Sequence, residues 1–321
     1  MKLKTCPKFT VNGEIDDPTG IFYLQPKKTN EILVESIKEG GYIMLQGHRG
    51  SGKSTRCLYA IENQLSDYTC IWFSMQYGIN MTNETLFWKS FGAFFMKRLE
   101  HLKIPTKIVI NDSSTFTLFF MEQRDNPIVL FLDEFDLLLK SDEILDSLFG
   151  ALRSMKSKRR VNRQFSLQSV VIIGPFSILR TANRTLSPFN VTESIQSPYF
   201  NEDDVRELFL QFTNATQITL EKGIIEDIFA RTKGHPGLTC FCGKKIQEYL
   251  SIGKQTVLLS EWLDYAIFSL PSEVPFSWAT VGRLKDCITL EPNFSFLIKY
   301  FLYSDLLPVT LRDIRELEIA R

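Results

Sequence analysis

The sequence predicts an α/β protein, with a parallel β-sheet flanked by helices and a mostly helical region after it. In the first part of the chain, apolar runs of strand length alternate with segments of helical periodicity, as in a doubly wound parallel sheet. A glycine-rich loop follows the first such run, and a pair of acidic residues follows a later one. Polar groups at the ends of buried strands are typical of α/β proteins that bind a ligand at one edge of the sheet.

Length and composition set limits on the class of protein. The chain has 321 residues, which is long enough for two or three domains with an ample core. Its 37 lysines and arginines balance 37 aspartates and glutamates, so the overall charge favours neither nucleic acid nor a membrane as a partner. Residues 1–17 lack the apolar region of a signal peptide, and no apolar run approaches the roughly 20 residues that span a bilayer. An intracellular protein, cytoplasmic or nuclear, with reduced cysteines is expected.

The first functional motif is the stretch GHRGSGKST at residues 47–55, which follows the apolar run 42–45. Its spacing is that of the P-loop, GxxxxGK[ST]. Glycines let successive backbone N–H groups face an anion, and the helix that begins near the end of the motif adds its positive dipole end. Lys53 is expected to grip the outer phosphates of a nucleotide and assist catalysis, and Ser54 to ligate Mg²⁺. The predicted phosphate-binding residues are Gly47, His48, Arg49, Gly50, Ser51, Gly52, Lys53, Ser54 and Thr55.

The second functional motif is NPIVLFLDEFDLLL at residues 126–139. Its apolar run is typical of a central strand buried on both faces, and the run ends at Asp133 and Glu134. Together with the upstream P-loop, this is the Walker B arrangement. Asp133 is expected to hold Mg²⁺ opposite Ser54, and Glu134 to act as the base or to orient the attacking water.

The remaining periodicities predict the other elements. The second half reads as all-helical after a boundary near residue 198, and His235 is interpreted as a turn residue between two helices. Further strands are predicted at 68–75, 168–174 and 190–197, and helices at 54–65, 83–102, 114–124, 141–157 and 201–212, with two more within 220–250.

These motifs resemble those of AAA-like and STAND P-loop ATPases over roughly residues 20–250. The similarity rests on GHRGSGKST, VLFLDEFD, LSPFN and TKGHPGL. It implies a P-loop NTPase sheet with a helical lid, and a Mg²⁺-dependent ATP-binding protein or ATPase that acts as a nucleotide-controlled switch. In this family a G-x-P motif of the lid lies against adenine, so the resemblance implies an adenine contact for Pro236. A plain helix breaker is the alternative.

The same resemblance implies the division into domains and a further candidate position. Residues 1–198 would form the P-loop NTPase core, 199–255 the helical lid, and 256–321 a helical segment that forms a partial winged-helix domain. The strand that ends near residue 174 occupies the sensor-1 slot, where no Asn or Thr is evident. The polar side chains considered near that slot are Ser177, Arg180 and Arg184.

More narrowly, FWKSFG, LFLDEFDLLL and LQSVVIIGPFSIL resemble P-loop proteins of fungi, some of which are attached to Crinkler-type effectors. The usual Crinkler header is not visible in MKLKTCPKFT, so the similarity supports a related ATPase module more than an effector role.

Two alternative functions stay open at this point. The basic run 156–163 and the C-terminal region could bind DNA, as in an origin-recognition ATPase, although a solvated loop is the simpler interpretation of such a run. The weak sensor-1 position instead favours a nucleotide-binding scaffold with little catalysis, whose partner is a protein. ATP or ADP is the expected ligand in each case, and a homo-oligomer is a further expectation.

Overall fold

The computed structural model describes residues 6–11, 13–15, 17–122, 124–161, 165–175, 187–189, 194–270 and 273. The chain divides into two compact units, Met1–Thr256 and Val257–Arg321. Within the described ranges, the helices are too short or too polar to cross a membrane.

The first unit contains the sheet and most of the described helices. Its strands are β1 (Tyr42–Gln46), β2 (Thr69–Ser74), β3 (Ile128–Asp133), β4 (Leu167–Gly174), β5 (Ser194–Gln196) and β6 (Thr219–Leu220), and β7 (Thr256–Val257) lies at the boundary between the units. Its helices are α1 (Glu31–Lys38), α2 (Lys53–Asn63), α3 (Glu84–His101), α4 (Ser113–Phe119), α5 (Asp142–Val161), α6 (Glu202–Thr216), α7 (Ile224–Thr232) and α8 (Pro236–Lys245), with a 3₁₀ helix at Phe135–Lys140 and a π-helix at Ile246–Leu250. The second unit contributes α9 (Leu259–Phe268).

The predicted parallel sheet is confirmed. Its strands lie in the order β2-β3-β4-β1-β5, and every pair of neighbours is parallel. All residues of β1 and β3 are buried, as expected for strands covered by helices on both faces. Because all strands run the same way, the loops after β1 and β3 emerge at the same edge of the sheet.

Two apolar clusters fill the two faces of this sheet. Side chains along a strand alternate between faces, so Leu130 joins one cluster and Phe131 the other. The first cluster is rich in aromatic rings from α3 and α4. Phe91, for example, lies 4.7 Å from Phe73 and 5.4 Å from Phe116, measured between ring centroids. The second cluster holds α1 and α2 against the opposite face.

An N-terminal segment, which we call the strap (residues 6–24), crosses from the P-loop helix to the helices of the predicted lid. Phe9 packs against Phe209 and Phe212 of α6, with ring centroids 5.3 and 5.8 Å away. Its backbone N–H donates to Gln247 Oε1 at 3.1 Å, and Gln247 Nε2 donates to the carbonyl of Pro7 at 2.9 Å. The strap therefore connects α6 and the π-helix to the rest of the unit.

The structure corrects the interpretation of the basic run as a loop. Helix α5 continues to Val161 and so includes the first part of the run. Lys156 is held in place, because its Nζ donates to the carbonyl of Pro188 at 2.9 Å and lies 5.0 Å from the ring centroid of Tyr42. Lys158 is exposed, and Arg163 lies outside the described residues.

Most of the predicted winged-helix segment lies outside the described residues, which beyond α9 comprise only three positions. Ser177, Arg180 and Arg184, the polar residues near the predicted sensor-1 slot, also lie outside the described residues.

Gly92 offers a test of the aromatic core. A Cβ at this helical position would lie 1.8 Å from the backbone oxygen of Ile110, so α3 and the segment before α4 must separate if it is added. Gly92→Ala is expected to lower the free energy of unfolding by about 1–3 kcal/mol in urea titrations. Gly150→Ala is the matched control, because that helical glycine has open space at its Cβ and should gain about 0.5–1 kcal/mol. Equal effects of the two substitutions would contradict the close approach at Gly92.

Candidate nucleotide-binding site

The predicted P-loop connects the end of β1 to the start of α2. Gly50 and Gly52 have φ angles of 74° and 80°, in the left-handed region that favours glycine. A Cβ at Gly47 would lie 2.8 Å from the Ser51 hydroxyl, which explains the first glycine of the motif. The loop thus needs glycine for its shape, and it delivers Lys53 to the first turn of α2.

Lys53 lies inside the turn of the loop. Its Nζ donates to the carbonyl oxygens of Gly47 at 2.8 Å and His48 at 2.7 Å, which uses two of the three N–H donors of an ammonium group. Burial lowers the pKa of Lys53, and the nearby carboxylates of Asp133 and Glu134 oppose that effect. A positive charge is therefore held at the centre of the loop.

Ser54 and Asp133 meet at the edge of the sheet. Ser54 Oγ donates to Asp133 Oδ2 at 2.8 Å, and Asp133 Oδ1 accepts from the backbone N–H of Glu134 at 2.8 Å. Burial raises the pKa of the Asp133 carboxyl to about 6. The two side chains predicted to share a Mg²⁺ ion are therefore in direct contact.

Glu134 follows β3 in a strained backbone conformation, with φ of 52° and ψ of 39°. The 3₁₀ helix begins immediately after it. Oε2 of the Glu134 carboxylate lies 3.4 Å from Arg49 Nη2, and the same nitrogen lies 3.5 Å from Oδ2 of Asp136. An arginine of the P-loop thus faces two carboxylates of the segment that follows β3.

Helix α8, which belongs to the predicted lid, contacts the P-loop through its first turn. The backbone N–H of Gly237 donates to the carbonyl of Gly50 at 3.0 Å, and His235 Nε2 donates to the carbonyl of Arg49 at 3.1 Å. His235 Nδ1 accepts from Leu238 N at 3.3 Å, so the imidazole is neutral with its proton on Nε2. Burial lowers the pKa of His235 in agreement with that state.

Sequence reasoning missed these lid contacts. His235 was expected to be a turn residue, and it also caps α8 and binds the P-loop backbone. Tyr199 adds to the junction, because its hydroxyl hydrogen-bonds His48 Nδ1 and its ring centroid lies 5.0 Å from that of His235. The only trace of this contact in the sequence is a histidine inside a G-x-P turn. That pattern does not indicate which distant residue the histidine contacts.

The other predicted site residues lie around this loop. Thr55 is in the first turn of α2, and its Oγ1 accepts from the backbone N–H of Ile15 in the strap at 3.1 Å. Ser51 is buried, and its Oγ has no hydrogen-bond partner among the described residues. Pro236 begins α8 beside the contact with Gly50.

The residues present fit a phosphate and a hard divalent cation. Backbone N–H groups, the Lys53 ammonium and the buried Ser51 hydroxyl, which has no partner in the part of the chain that the structure describes, are donors suited to an anion. Serine and aspartate oxygens suit Mg²⁺, which keeps several waters and shares phosphate oxygens instead of needing a full protein cage. Among the described residues, no three or more His, Cys, Asp or Glu side chains group as a metal site.

Comparison with known proteins gives the family and the fold. A family model described as an AAA-like domain matches residues 12–269, so the chain belongs to the AAA-like family. A Walker-type ATPase of Pyrococcus abyssi is similar with a TM-score of 0.54 and 14% identity, over 98% of this chain and 91% of that one. The ORC1 protein of Aeropyrum pernix, in complex with DNA, is similar with a TM-score of 0.50 and 14% identity, over 92% of this chain and 76% of that one. Curated protein sequences gave no match.

These findings confirm the predicted α/β P-loop fold and the resemblance to AAA-like ATPases. At such low identity the two solved structures show the fold alone. The finer resemblance to STAND proteins and to Crinkler-type effectors stays a prediction.

The protonation state of His235 leads to a test of stability against pH. The unfolded imidazole has a pKa of about 6.5, and the folded one titrates lower, so the unfolded chain binds more protons at acid pH. The free energy of unfolding of the wild type should therefore fall, relative to that of His235→Asn, as the pH drops from about 8 to about 5. Urea titrations across this range would measure the difference.

The substitution is chosen to isolate one group. Asparagine keeps a side-chain oxygen for the N-cap, and the raised pKa of Asp133, which acts in the opposite sense, is present in both proteins. His101→Asn, at an exposed histidine in the last turn of α3, should leave the pH dependence of the wild type intact. A parallel pH dependence for wild type and His235→Asn would show that His235 titrates normally.

Proposed function

We propose that this chain is a Mg²⁺-dependent ATPase that acts as a nucleotide-controlled conformational switch. One observation carries the proposal: the loop that encloses the Lys53 ammonium and leads into Ser54, which is bonded to Asp133, is also bonded through its backbone to α8 of the proposed lid. A ligand in this loop would therefore meet the chemical groups and the lid at the same place. Membership of the AAA-like family supports ATP as that ligand.

The proposed roles of the binding residues follow from their chemistry. The N–H groups of residues 47–55 would cradle the phosphates, and the Lys53 ammonium would contact the outer ones. Ser54 and Asp133 would hold Mg²⁺ from the hydroxyl and carboxylate that now bond each other. Bound Mg²⁺ would supply neutralisation of the phosphate charge.

Glu134 is proposed to position the attacking water. Its carboxylate follows the strand that carries Asp133, so it lies at the edge of the sheet where the phosphates would end. A carboxylate acts there by accepting a hydrogen bond from the water, and by taking its proton in the limit of full transfer.

The switch is proposed to run through the first turn of α8. Gly50 and Arg49 use their carbonyl oxygens to bind Gly237 and His235, and loop N–H groups that turn to face phosphates reorient the peptide units that carry those carbonyls. Phosphate binding would thus change the hydrogen bonds that attach the start of α8 to the loop. Pro236, at the start of the same helix, is the proposed adenine contact, and residues 199–255 are the proposed lid.

The ATPase assignment is tested by two substitutions. Lys53→Ala should weaken ATP binding by roughly 10-fold or more, because the buried positive charge of the loop is lost. Glu134→Gln should keep affinity for Mg·ATP within about 3-fold and lower single-turnover hydrolysis by roughly 100-fold, the scale of a lost general base. Fluorescence titration and quenched-flow measurements would give the two quantities.

Exposed residues of matched type provide the controls. Lys89→Ala and Glu100→Gln, both on the solvent side of α3, should leave binding and turnover unchanged. Unaltered ATP affinity in Lys53→Ala would refute the P-loop assignment. Binding by the wild type without turnover would refute the ATPase and favour the scaffold alternative.

The switch is tested by hydrogen exchange at the lid. Mg·ATP should change the exchange rate of peptides that cover the start of α8, because the Gly237 N–H is bonded to the loop that ATP would occupy. The Lys53→Ala variant should lose this response at the same nucleotide concentration. A response confined to residues 47–55 in the wild type would rule out coupling to the lid.

A further inference from the structure

The side chain of Arg49 has a setting that nucleotide binding alone does not explain. It leaves the P-loop and approaches the segment after β3, where its Nη2 lies 3.4 Å from Glu134 Oε2 and 3.5 Å from Asp136 Oδ2. Its backbone is fixed at the same time, because its carbonyl oxygen accepts from His235 Nε2. The backbone of Arg49 is therefore held in place while its guanidinium contacts both carboxylates.

Glu134 needs a partner of this kind. Its backbone is set by the end of β3 and by its carbonyl, which accepts from Leu137 N at 3.1 Å. Its side chain has several rotatable bonds and is 27% exposed. Among the described residues, the Arg49 guanidinium is the one group within ion-pair or hydrogen-bond range of the carboxylate. Without Arg49, the carboxylate would sample several rotamers.

Asp136 completes the arrangement. It is largely buried, its Oδ2 faces Arg49, and its Oδ1 has no hydrogen-bond partner among the described residues. A planar guanidinium with several N–H donors can face two carboxylates together, which a lysine ammonium does less well. Asp136 thus holds the same nitrogen of Arg49, Nη2, that faces Glu134.

We infer that Arg49 is a positioning residue for Glu134, which it holds in the orientation that serves the attacking water. The inference rests on the proposed function, since it assigns Arg49 to the same reaction. It differs from phosphate binding by the P-loop backbone, because it concerns a side chain that faces away from the loop toward carboxylates.

The test is a double-mutant cycle on ATP hydrolysis. Arg49→Ala should lower kcat by roughly 10–100-fold, the scale of a misplaced reacting group, and leave the affinity for Mg·ATP within about 3-fold. Arg49→Lys should keep part of the rate. In the Glu134→Gln background, Arg49→Ala should cause no further loss, because the carboxylate that it positions is already gone.

Arg206 supplies a matched control. Its side chain is 45% exposed, as is that of Arg49, and its Nη2 also contacts two carboxylates, those of Glu202 and Glu226, at 2.6 and 2.9 Å. Arg206→Ala removes a similar pair of contacts, one within α6 and one to α7, and should leave kcat and affinity unchanged. Thermal unfolding of each variant would verify that the proteins are folded.

The remaining outcomes decide against the inference in distinguishable ways. Weaker nucleotide binding with normal kcat in Arg49→Ala would make Arg49 a phosphate ligand, and a higher kcat would make it a brake on Glu134. An equal loss in the wild-type and Glu134→Gln backgrounds would separate Arg49 from Glu134. Each of these would overturn the inference alone, whereas absence of turnover in the wild type would overturn the proposed function and the inference together.

Discussion

The hydrogen bond between Ser54 Oγ and Asp133 Oδ2 joins two segments that lie 79 positions apart, and the rest of the site is arranged around it. It forms because β1 and β3 are parallel and lie on either side of β4, so both strands end at the same edge of the sheet. The apolar runs in these strands place them in the core, and the core thereby places the polar residues that follow. Packing of Phe131 and Leu132 is in this sense the cause of the position of Asp133.

The second constraint is the use of one loop for two purposes. The proposed function requires this loop to turn N–H groups toward a phosphate, and two of its carbonyls, those of Arg49 and Gly50, are bonded to His235 and Gly237 at the start of α8. A peptide unit is rigid, so its N–H cannot turn without its carbonyl. The proposed switch therefore needs no separate transmission element, because the N–H groups of Gly50 and Ser51 belong to the same peptide units as the carbonyls that bond α8.

The sequence was informative where chemistry is encoded locally. The P-loop, the acidic pair after β3 and the strands of the five-stranded sheet follow from spacing and from the period of apolar residues, and the structure has these elements. The prediction of an all-helical region after residue 198 was wrong in one respect, because β6 and β7 form a two-stranded sheet there, and strands of two residues are too short to show a period. Contacts between distant side chains were out of reach: no local pattern connects Arg49 with Glu134, or His235 with the P-loop backbone. The basic run was misjudged for a related reason. Its charges suggested a loop, but α5 is held through Lys156 by Pro188 and Tyr42, which are far away in the sequence.

The strap has a consequence for the order in which the chain can fold. Phe9 and Gln247 are bonded across 238 positions, so a nascent chain presents the strap long before its binding surface on α6 and α8 has been synthesised. The apolar side chains of Phe9 and Phe22 stay exposed to solvent, or make other contacts, until α6 and the helices after it have been synthesised. The sheet can form earlier from segments closer in sequence, and docking of the strap then becomes a late event that seals an assembled unit.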